Sequence, residues 1–544
     1  MNGLQTADYI VFAFYFIVVA LYGYYVYQKK SKTSSGDSKD FFLAEGSLTW
    51  WAIGASLIAS NISAEHFIGM SGSGFALGLA ISTYEWMAAA TLIIVAVFFI
   101  PIYLKNKIYT MPQFLEKRYN STVSTIMAVF WILVYVFVNL TSILYLGAIA
   151  ITSITPLSFT ACVIGLSVFA IIVTLGGMKV IGYTDVIQVA VLMVGGLVTT
   201  YLALTLLSEK SGFGTDVFKG LALLQEKADS HFHMIFNEDH NYYKDLPGLS
   251  VLVGGMWINN LNYWGCNQYI TQRALGADLK TARNGILFAA FLKLLIPIIA
   301  VLPGIAMYVL HQDGLFQQEM SNAAGQVKPD HAYPTLMNLL PGGLKGVAFA
   351  ALTAAVVASL AGKANSISTI FSLDIYKKFF NKEASEQKLV NIGKWAVIGS
   401  MVIAGLVAPS LRTLEQAYQF IQEYVGFISP GVLAIFLLGL FWKRTTSSAA
   451  LAGTLLTIPV STLLKFLPEW TNGSFPDYPF LDRMTITFVL IVFVMVTMSL
   501  AKPHTKATSE HIEIDFHHFR VTPGFMAGAI IIVGILTGLY ASFW

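Results

Sequence analysis

The sequence predicts an all-α polytopic membrane protein with about 14 transmembrane helices, and three observations support this prediction. The chain of 544 residues is 56% hydrophobic and only 12% charged, whereas charged residues make up about a quarter of a typical soluble domain. Long apolar stretches recur along the chain, and a membrane-spanning helix needs roughly 20 apolar residues. Lys and Arg are concentrated in alternate connections between the stretches, as membrane orientation requires.

The apolar stretches are distributed over the whole chain. They cover residues 8–28, 50–72, 79–104, 123–151, 157–177, 185–207, 247–270, 283–310, 343–373, 390–409, 414–441, 447–466, 485–501 and 522–543. The first one has no basic segment before it and no small-residue cleavage site after it, so we expect a retained helix and not a signal peptide. Cys162 and Cys266 are the only cysteines, which argues against a disulfide framework or a cysteine-based metal site.

The basic residues predict how the chain crosses the membrane. If the N-terminus lies outside, the Lys-rich connections 105–118 and 377–388 lie inside, and the long connections 208–246 and 311–342, which carry few basic residues, lie outside. The positive-inside rule then predicts both termini on the extracytoplasmic side. We expect a multi-pass protein of the cell inner membrane, with 208–246 either a partly folded cap or a solvated loop. A net charge of +3 gives no indication of a nucleic-acid partner.

Two apolar stretches, 50–72 and 247–270, are interrupted near the middle by small and amide residues. The interruptions are 54–56 and 60–63 in the first stretch, and 254–255 and 259–260 in the second. A helix broken inside lipid frees backbone groups that hydrocarbon cannot satisfy, so it is tolerated only beside a water-filled cavity or a bound ligand. Two such breaks predict a binding site in the middle of the membrane.

The broken helices are the second and seventh spans, which predicts two units of opposite orientation. Inverted repeats of this kind are common in secondary transporters. The expected organisation is a first peripheral helix with a cytoplasmic loop (1–49), a first repeat (50–207), an extracellular loop (208–246), a second repeat (247–441) and peripheral spans (442–544). No P-loop, dinucleotide fingerprint, HExxH or GxSxG lies in a strand–turn–helix context, so we do not expect an enzyme.

Several segments resemble the solute:sodium symporter family, with the greatest likeness to its bacterial sodium/galactose and animal sodium/glucose symporters. The segments are GASLIASNISAEHFIGMSGSG (54–74), STYEW (82–86), VNLTSILYLG (138–147), YTDVIQV (183–189), NYWGCNQYITQR (262–273), FAAFLKL (288–294), NSISTIFSLDIYKK (365–378), QAYQFIQEYVGFISPG (416–431) and GLFWKRTTS (439–447). The resemblance implies a LeuT-like fold with two inverted five-helix repeats. It also implies import of a neutral hexose by alternating access, with sodium as the coupling ion and no other cofactor.

The resemblance places one group of polar residues in the sugar site, and their chemistry suits a neutral polyol, which needs amides, a few charged groups and aromatic faces. These residues are Asn61, His66, Glu85, Asn139, Asn260, Lys293 and Gln422. Ionisable groups inside a membrane are rare and usually functional, although Glu85 and Lys293 could instead form an ion pair that ties two helices. Asn139 and Asn260 could instead make interhelical hydrogen bonds. His66 and Ala88 stand where the galactose pattern has glutamine and serine, which leaves glucose or galactose open.

The resemblance also assigns the gates on either side of this site. The outer gate would comprise Met70, Tyr84 and Tyr418, and the inner gate Tyr263 with Trp264 behind it. Aromatic rings suit the task because they stack on the apolar face of a sugar and have few rotatable bonds. Packing or anchoring at the membrane interface is the alternative role for such rings.

The sodium site is where the sequence departs from the family. The resemblance implies ligation by the carbonyls of Ala59, Ile62 and Ala355 and by hydroxyls at 358 and 359, but residue 358 is alanine and only Ser359 supplies a hydroxyl. A hard cation requires several oxygen ligands. Lys363 lies four residues after Ser359 and therefore on the same helical face.

Three interpretations of Lys363 are open. It extends toward the cytoplasmic vestibule while sodium is held by the remaining protein oxygens plus water, it replaces sodium in a uniporter, or it exchanges protons and couples transport to a proton gradient. Asp185, in YTDVIQV, would receive an outgoing cation in each case. A sugar sensor is a further alternative, because some family members act as sensors.

Overall fold

The computed structural model describes residues 4–31, 41–42, 48–152, 155–321, 325–413, 417–501 and 512–544, and for 29–31, 412–413 and 417–420 only the backbone. The first half of the chain forms α1 (Thr6–Ser31), α2 (Trp50–Asn61), α3 (Glu65–Met70 and Ser71–Leu77), α4 (Thr83–Ile94, Val95–Phe99 and Ile100–Lys105), α5 (Met111–Arg118), α6 (Ser121–Thr152), α7 (Phe159–Leu175), α8 (Met178–Lys210), α9 (Val217–Lys227), α10 (Gly248–Val253) and α11 (Gly255–Gly265). The second half forms α12 (Gln268–Leu275), α13 (Leu279–Gln312), α14 (Ala332–Leu339), α15 (Leu344–Phe380), α16 (Glu386–Val407), α17 (Ala417–Gly426), α18 (Ser429–Phe441), α19 (Ser447–Trp470), α20 (Phe480–Ala501) and α21 (Pro523–Ser542).

The all-helical membrane fold that composition predicts is confirmed. Within the described residues, 11 helical segments are long and apolar enough to cross a membrane, and α7 is a shorter apolar helix. The number of 14 spans, the repeat boundaries and the position of the termini stay predictions. The connection 208–246 is partly folded, because it contains α9 and a short 3₁₀ turn (Asp229–His231).

Polar residues that begin the helices satisfy the N–H groups of the first turn. An N-cap side-chain oxygen accepts a hydrogen bond from the second or third residue of a helix and contributes about 1 kcal/mol to stability. The side chains that do so include Thr110, Asn120, Ser158, Asp216, Asp278, Ser385, Thr446 and Thr522. The starts of these helices are therefore defined by capping residues, and not only by hydropathy.

Burial separates central helices from peripheral ones. In the most apolar stretch of α15, 89% of residues are buried within the protein, against 17% for α1. The most extensive helix pairing joins α8 and α15. A helix buried on all sides is in contact with protein and not lipid, so α15 can carry polar residues that would be costly in hydrocarbon.

The first broken helix is interrupted in only one of the two places predicted. The chain leaves the helix at Ile62 and Ser63, inside the predicted 60–63, but it is helical throughout 54–56. There the absence of a side chain at Gly54 permits close packing, since a Cβ would lie 2.6 Å from the Gly285 carbonyl oxygen of α13. Gly54 thus serves helix packing and does not interrupt the helix.

The second broken helix is also interrupted in only one of the two places predicted, at Gly254 within 254–255 and not at 259–260. Asn259 and Asn260 lie inside α11, and the chain leaves the helix before it at Gly254 and after it at Cys266 and Asn267. Asn260 fits the helix because its side-chain amide donates to the Met256 carbonyl one turn back, at 3.1 Å. An amide residue can satisfy its polar groups locally, so its presence does not by itself mark a break.

Candidate functional site

The break after α2 is stabilised by side chains that replace helical hydrogen bonds. Ile62 is extended (φ −76°, ψ 125°). The next free N–H groups bind to side chains: Ser63 N–H donates to His66 Nδ1 at 3.3 Å, and Glu65 N–H donates to Ser63 Oγ at 3.2 Å. Buried backbone groups need such partners. The sequence Ser-Ala-Glu-His therefore supports an interruption inside the bundle.

A polar cavity lies beside this break, and all seven residues predicted for the sugar site line it. The space between its walls, including the open side, is about 950 Å³. The predicted residues on its walls are Asn61, His66, Tyr84, Glu85, Asn139, Asn260, Tyr263, Trp264, Lys293, Lys363 and Gln422, and Ala88 also lines it. The structure thus brings together residues from α2, α3, α4, α6, α11, α13, α15 and α17.

Glu85 of α4 and Lys293 of α13 form a buried ion pair in this cavity. Lys293 Nζ lies 2.5 Å from Glu85 Oε2, and the two side chains are 1% and 4% exposed. Nζ also donates to Asn61 Oδ1 and lies 5.1 Å from the centre of the Trp264 ring. The ion pair considered as an alternative to sugar binding is therefore present, and its members also face the cavity.

His66 is oriented by two neighbours that define which nitrogen carries the proton. Nδ1 accepts the Ser63 N–H, so it is unprotonated, and Nε2 lies 3.4 Å from Glu85 Oε1. A neutral imidazole with its proton on Nε2 satisfies both contacts. His66 in this form directs a donor toward the carboxylate that also holds Lys293.

The residues assigned to the gates differ in their position relative to the cavity. Tyr84 and Tyr263 line the cavity, and the Tyr263 hydroxyl accepts a hydrogen bond from Asn61 Nδ2 at 2.9 Å. Trp264 packs edge-on against Tyr263, with ring centres 5.1 Å apart. Met70 is fully buried and does not line the cavity. The side chain of Tyr418 lies outside the described residues.

The predicted ion-site residues lie where α15 passes the end of α2. Ala59, Ile62, Ala355 and Ser359 are all fully buried. Ser359 Oγ donates to the Ser60 carbonyl oxygen at 3.0 Å. Lys363 Nζ donates to Ser359 Oγ at 2.7 Å and lies 3.5 Å from the Ser60 oxygen. The carbonyl of Ser60 was not among the predicted ligands, and the sodium ligand set stays a prediction.

Asp185 of α8 lies next to the same end of α2 but outside the cavity. Its carboxylate accepts a hydrogen bond from Ser56 Oγ at 2.5 Å and lies 3.8 Å from Nη2 of Arg273. Gly362 explains the close approach of Arg273 to α15, because a Cβ there would lie 2.5 Å from Nη2 and 2.7 Å from Ser60 Oγ. A second buried ion pair therefore adjoins the residues around Lys363.

Sequence reasoning missed several residues of this site. Glu65 lines the cavity and accepts a hydrogen bond from Ser142 Oγ at 2.7 Å. Tyr135 and Tyr269 also line it, with ring centres 5.5 Å apart. Arg273 is 1% exposed. The charge of Glu65 within an apolar stretch was a usable signal, whereas nothing distinguished the two tyrosines from the other aromatic residues.

A bundle of membrane helices with broken segments around a polar cavity defines the class of secondary transporters. The model of the sodium:solute symporter family matches residues 41–457, and the chain belongs to this family.

Individual relatives agree with this assignment over most of their length. The sodium/glucose cotransporter of Vibrio parahaemolyticus is 45% identical over 550 residues, which cover 100% of this chain and 99% of the relative. The sodium/myo-inositol cotransporter 2 of Homo sapiens is 32% identical over 539 residues, with 94% of this chain and 78% of the relative covered. The chain is accordingly a transporter and not an enzyme.

Solved structures support the fold. A Na⁺-coupled sialic acid symporter, solved in a substrate-bound outward-open state, superimposes with a TM-score of 0.77 at 22% identity, covering 92% of this chain and 98% of that chain. Mhp1, a nucleobase-cation-symport-1 family transporter, superimposes with a TM-score of 0.51 at 13% identity, covering 86% and 96%. The LeuT-like fold is therefore confirmed.

Proposed function

We propose that this protein imports a neutral hexose of the glucose or galactose type together with sodium, by alternating access across the cell inner membrane. The observation that carries the proposal is the composition of the cavity wall. Its walls offer the amides of Asn61, Asn139, Asn260 and Gln422 and one ion pair of balanced charge. Such groups match the many hydroxyls and zero net charge of a sugar.

The Glu85–Lys293 pair is the strongest polar feature of this wall. The carboxylate oxygens can accept hydrogen bonds from sugar hydroxyls, and the ammonium can donate hydrogen bonds to the hydroxyl oxygens. A sugar hydroxyl can therefore bind to either residue while the two buried charges stay paired with each other. Charge-assisted hydrogen bonds are about twice as strong as neutral ones. We assign Glu85, Lys293, Asn61 and His66 as the residues that orient the sugar, with Tyr84 and Tyr263 as gate residues.

Sodium would supply the energy for accumulation. Moving one monovalent cation down the membrane potential contributes about 2.3 kcal/mol per 100 mV, equivalent to a roughly fifty-fold concentration ratio of an uncharged cosubstrate. The sodium/glucose and sodium/myo-inositol relatives support this coupling, as does the placement of Ser359 beside the end of α2.

Radiolabelled hexose uptake into proteoliposomes tests the proposal. The purified full-length protein is assayed with an inward sodium gradient, an inward proton gradient, or neither, using glucose and galactose as substrates and myo-inositol as competitor. We expect accumulation above equilibrium only with the sodium gradient. Equal uptake that merely equilibrates in all three conditions would indicate a uniporter, and sugar binding without uptake would indicate a sensor. Either result contradicts the proposal.

A further inference from the structure

Lys363 occupies a position that favours a positive charge. The C-terminal end of a helix carries roughly half a negative elementary charge from its unpaired carbonyl groups. The end of α2 contributes the Ser60 carbonyl, and Lys363 Nζ lies 3.5 Å from its oxygen. The ammonium also donates to Ser359 Oγ at 2.7 Å and lies 4.7 Å from the centre of the Tyr269 ring. The end of α2 therefore binds a cation that belongs to the chain itself.

The partners of this ammonium are all neutral. Among the side chains that the structure describes, none of the carboxylates lies within ion-pair distance of Lys363 Nζ. A hydroxyl, a carbonyl and an aromatic face stabilise a cation through dipoles and the ring quadrupole. Unlike a buried ion pair, these contacts include no anion. Another cation can therefore replace the ammonium without leaving a buried anion unpaired.

We propose that Lys363 is a tethered cation that competes with sodium for the Ser359 hydroxyl and the carbonyl end of α2, and thereby determines the sodium affinity of the transporter. The inference rests on the sodium coupling proposed above. Ser359 Oγ already donates to Ser60 and accepts from Lys363. A sodium ion bound to the same oxygen would lie within a few ångströms of the ammonium, and two positive charges that close together in a buried site repel strongly, so the two cations exclude one another there.

Glu65 offers the displaced ammonium a new partner. Its carboxylate and Lys363 line the same cavity. The two carboxylate oxygens are held on the wall by Ser142 Oγ at 2.7 Å and Ser63 Oγ at 3.2 Å. When sodium arrives, the flexible lysine side chain turns from Ser359 toward Glu65. Ion binding thus changes the charge distribution of the cavity in which the sugar is bound, and this couples the two sites.

The test compares sodium titrations of the wild-type protein and Lys363→Met. Methionine keeps an unbranched apolar stem and removes the charge. Glucose or galactose uptake is measured in proteoliposomes at fixed membrane potential while external sodium is varied. We expect Lys363→Met to reach half-maximal uptake at a sodium concentration lower by on the order of tenfold. Glu65→Gln should shift it in the opposite direction, because the displaced ammonium loses its counter-charge.

Two controls keep the outcome interpretable. Lys345→Met removes another buried ammonium from α15 and should leave the sodium titration unchanged, because Lys345 does not line the cavity. Equilibrium binding of ²²Na⁺ to the detergent-solubilised protein gives the same comparison for any variant that folds but does not transport. Retained sugar binding shows that the variant is folded.

The possible outcomes separate the inference from the proposed function. Equal half-saturating sodium concentrations in wild type and Lys363→Met overturn the inference while sodium coupling stands. Loss of sodium stimulation in a Lys363→Met protein that still binds sugar also overturns it. If uptake by the wild type does not depend on sodium but uptake by Lys363→Met does, sodium coupling fails for the native chain, whereas competition by Lys363 is supported. If neither responds, both fail.

Discussion

Lys293 and Lys363 are two buried lysines in the same cavity, but Lys293 contacts a charged group whereas Lys363 contacts uncharged groups. Each is at most 2% exposed, and each lies on a helix within the bundle. Lys293 is 2.5 Å from a carboxylate, whereas Lys363 contacts a hydroxyl, a carbonyl oxygen and a ring. The two lysines therefore differ in whether a counter-charge lies beside them, and not in how far their side chains are buried.

This difference indicates which charge is fixed and which is exchangeable. Removing one member of a buried ion pair leaves an uncompensated charge and is strongly unfavourable, so Lys293 and Glu85 stay together. Lys363 contacts a hydroxyl and a carbonyl oxygen, which are groups that also bind sodium, and on the inference above its site can change occupant. A cotransporter needs both properties: a constant site for the sugar and a site whose cation changes during each cycle.

The largest effect is expected from breaking the fixed pair. Glu85→Gln leaves the Lys293 ammonium without a counter-charge, and such a loss costs about 3–5 kcal/mol. We expect a clearly lower melting temperature in detergent and hexose uptake reduced by on the order of a hundredfold or more. The double variant Glu85→Gln/Lys293→Met should recover thermal stability without recovering uptake. Wild-type stability and uptake in the single variant would show that the pair is dispensable.

A slightly smaller effect is expected from giving Lys363 the kind of partner that Lys293 has. In Ser359→Asp a carboxylate faces the lysine one helical turn away, which fixes the ammonium at the end of α2. Uptake should then lose its sodium dependence and become merely equilibrating, with the protein still folded and sugar-binding. Ser359→Ala serves as the control, because it removes the hydroxyl and adds no charge. A Ser359→Asp protein that still accumulates hexose with sodium would contradict the contrast between the two lysines.

Most of the proposed sugar site could be predicted from the sequence, because the family resemblance assigns its residues and their polar character within apolar stretches agrees with that assignment. Glu85, Lys293, Asn139 and Gln422 were assigned in this way, and they do share one cavity. Their pairing was left open because a span assignment gives depth but not the rotation of each helix. Only the packing of α4 against α13 places the Glu85 carboxylate beside Lys293.

The helix breaks were predicted less well for a physical reason. Small and amide residues permit a break, but they also permit close packing and local hydrogen bonds, and the sequence does not distinguish these uses. Gly54 packs against α13, and Asn260 bonds within α11. By contrast, the break at Ile62 is followed by Ser63 and His66, whose side chains accept hydrogen bonds from backbone N–H groups near the break. Capping chemistry after the interruption was the better indicator.

A moderate effect is expected from the Tyr263 hydroxyl, which joins Asn61 of the proposed sugar site to the proposed inner gate. Tyr263→Phe removes the acceptor of the Asn61 Nδ2 hydrogen bond, which measures 2.9 Å. A neutral hydrogen bond contributes about 1 kcal/mol, equivalent to roughly a fivefold change in affinity. The apparent hexose affinity should fall by that factor, and the sodium titration should stay as in wild type. A change in sodium affinity of equal size would mean that Tyr263 reports on both sites.

The smallest effect concerns the pH dependence of stability, and it comes from a carboxyl group outside the cavity that holds the two lysines. Burial raises the pKa of Asp330, in the connection before α14, to about 7, with Lys328 acting in the opposite direction. Asp330 packs against Gly72 of α3, where a Cβ would lie 2.6 Å from Oδ1. Between its unfolded pKa of about 3.9 and its folded value the native state binds more protons, so stability falls as pH rises through this interval. Asp330→Asn should flatten that decline in melting temperature between about pH 5 and 7.5, and an unchanged decline would show that Asp330 is not its cause.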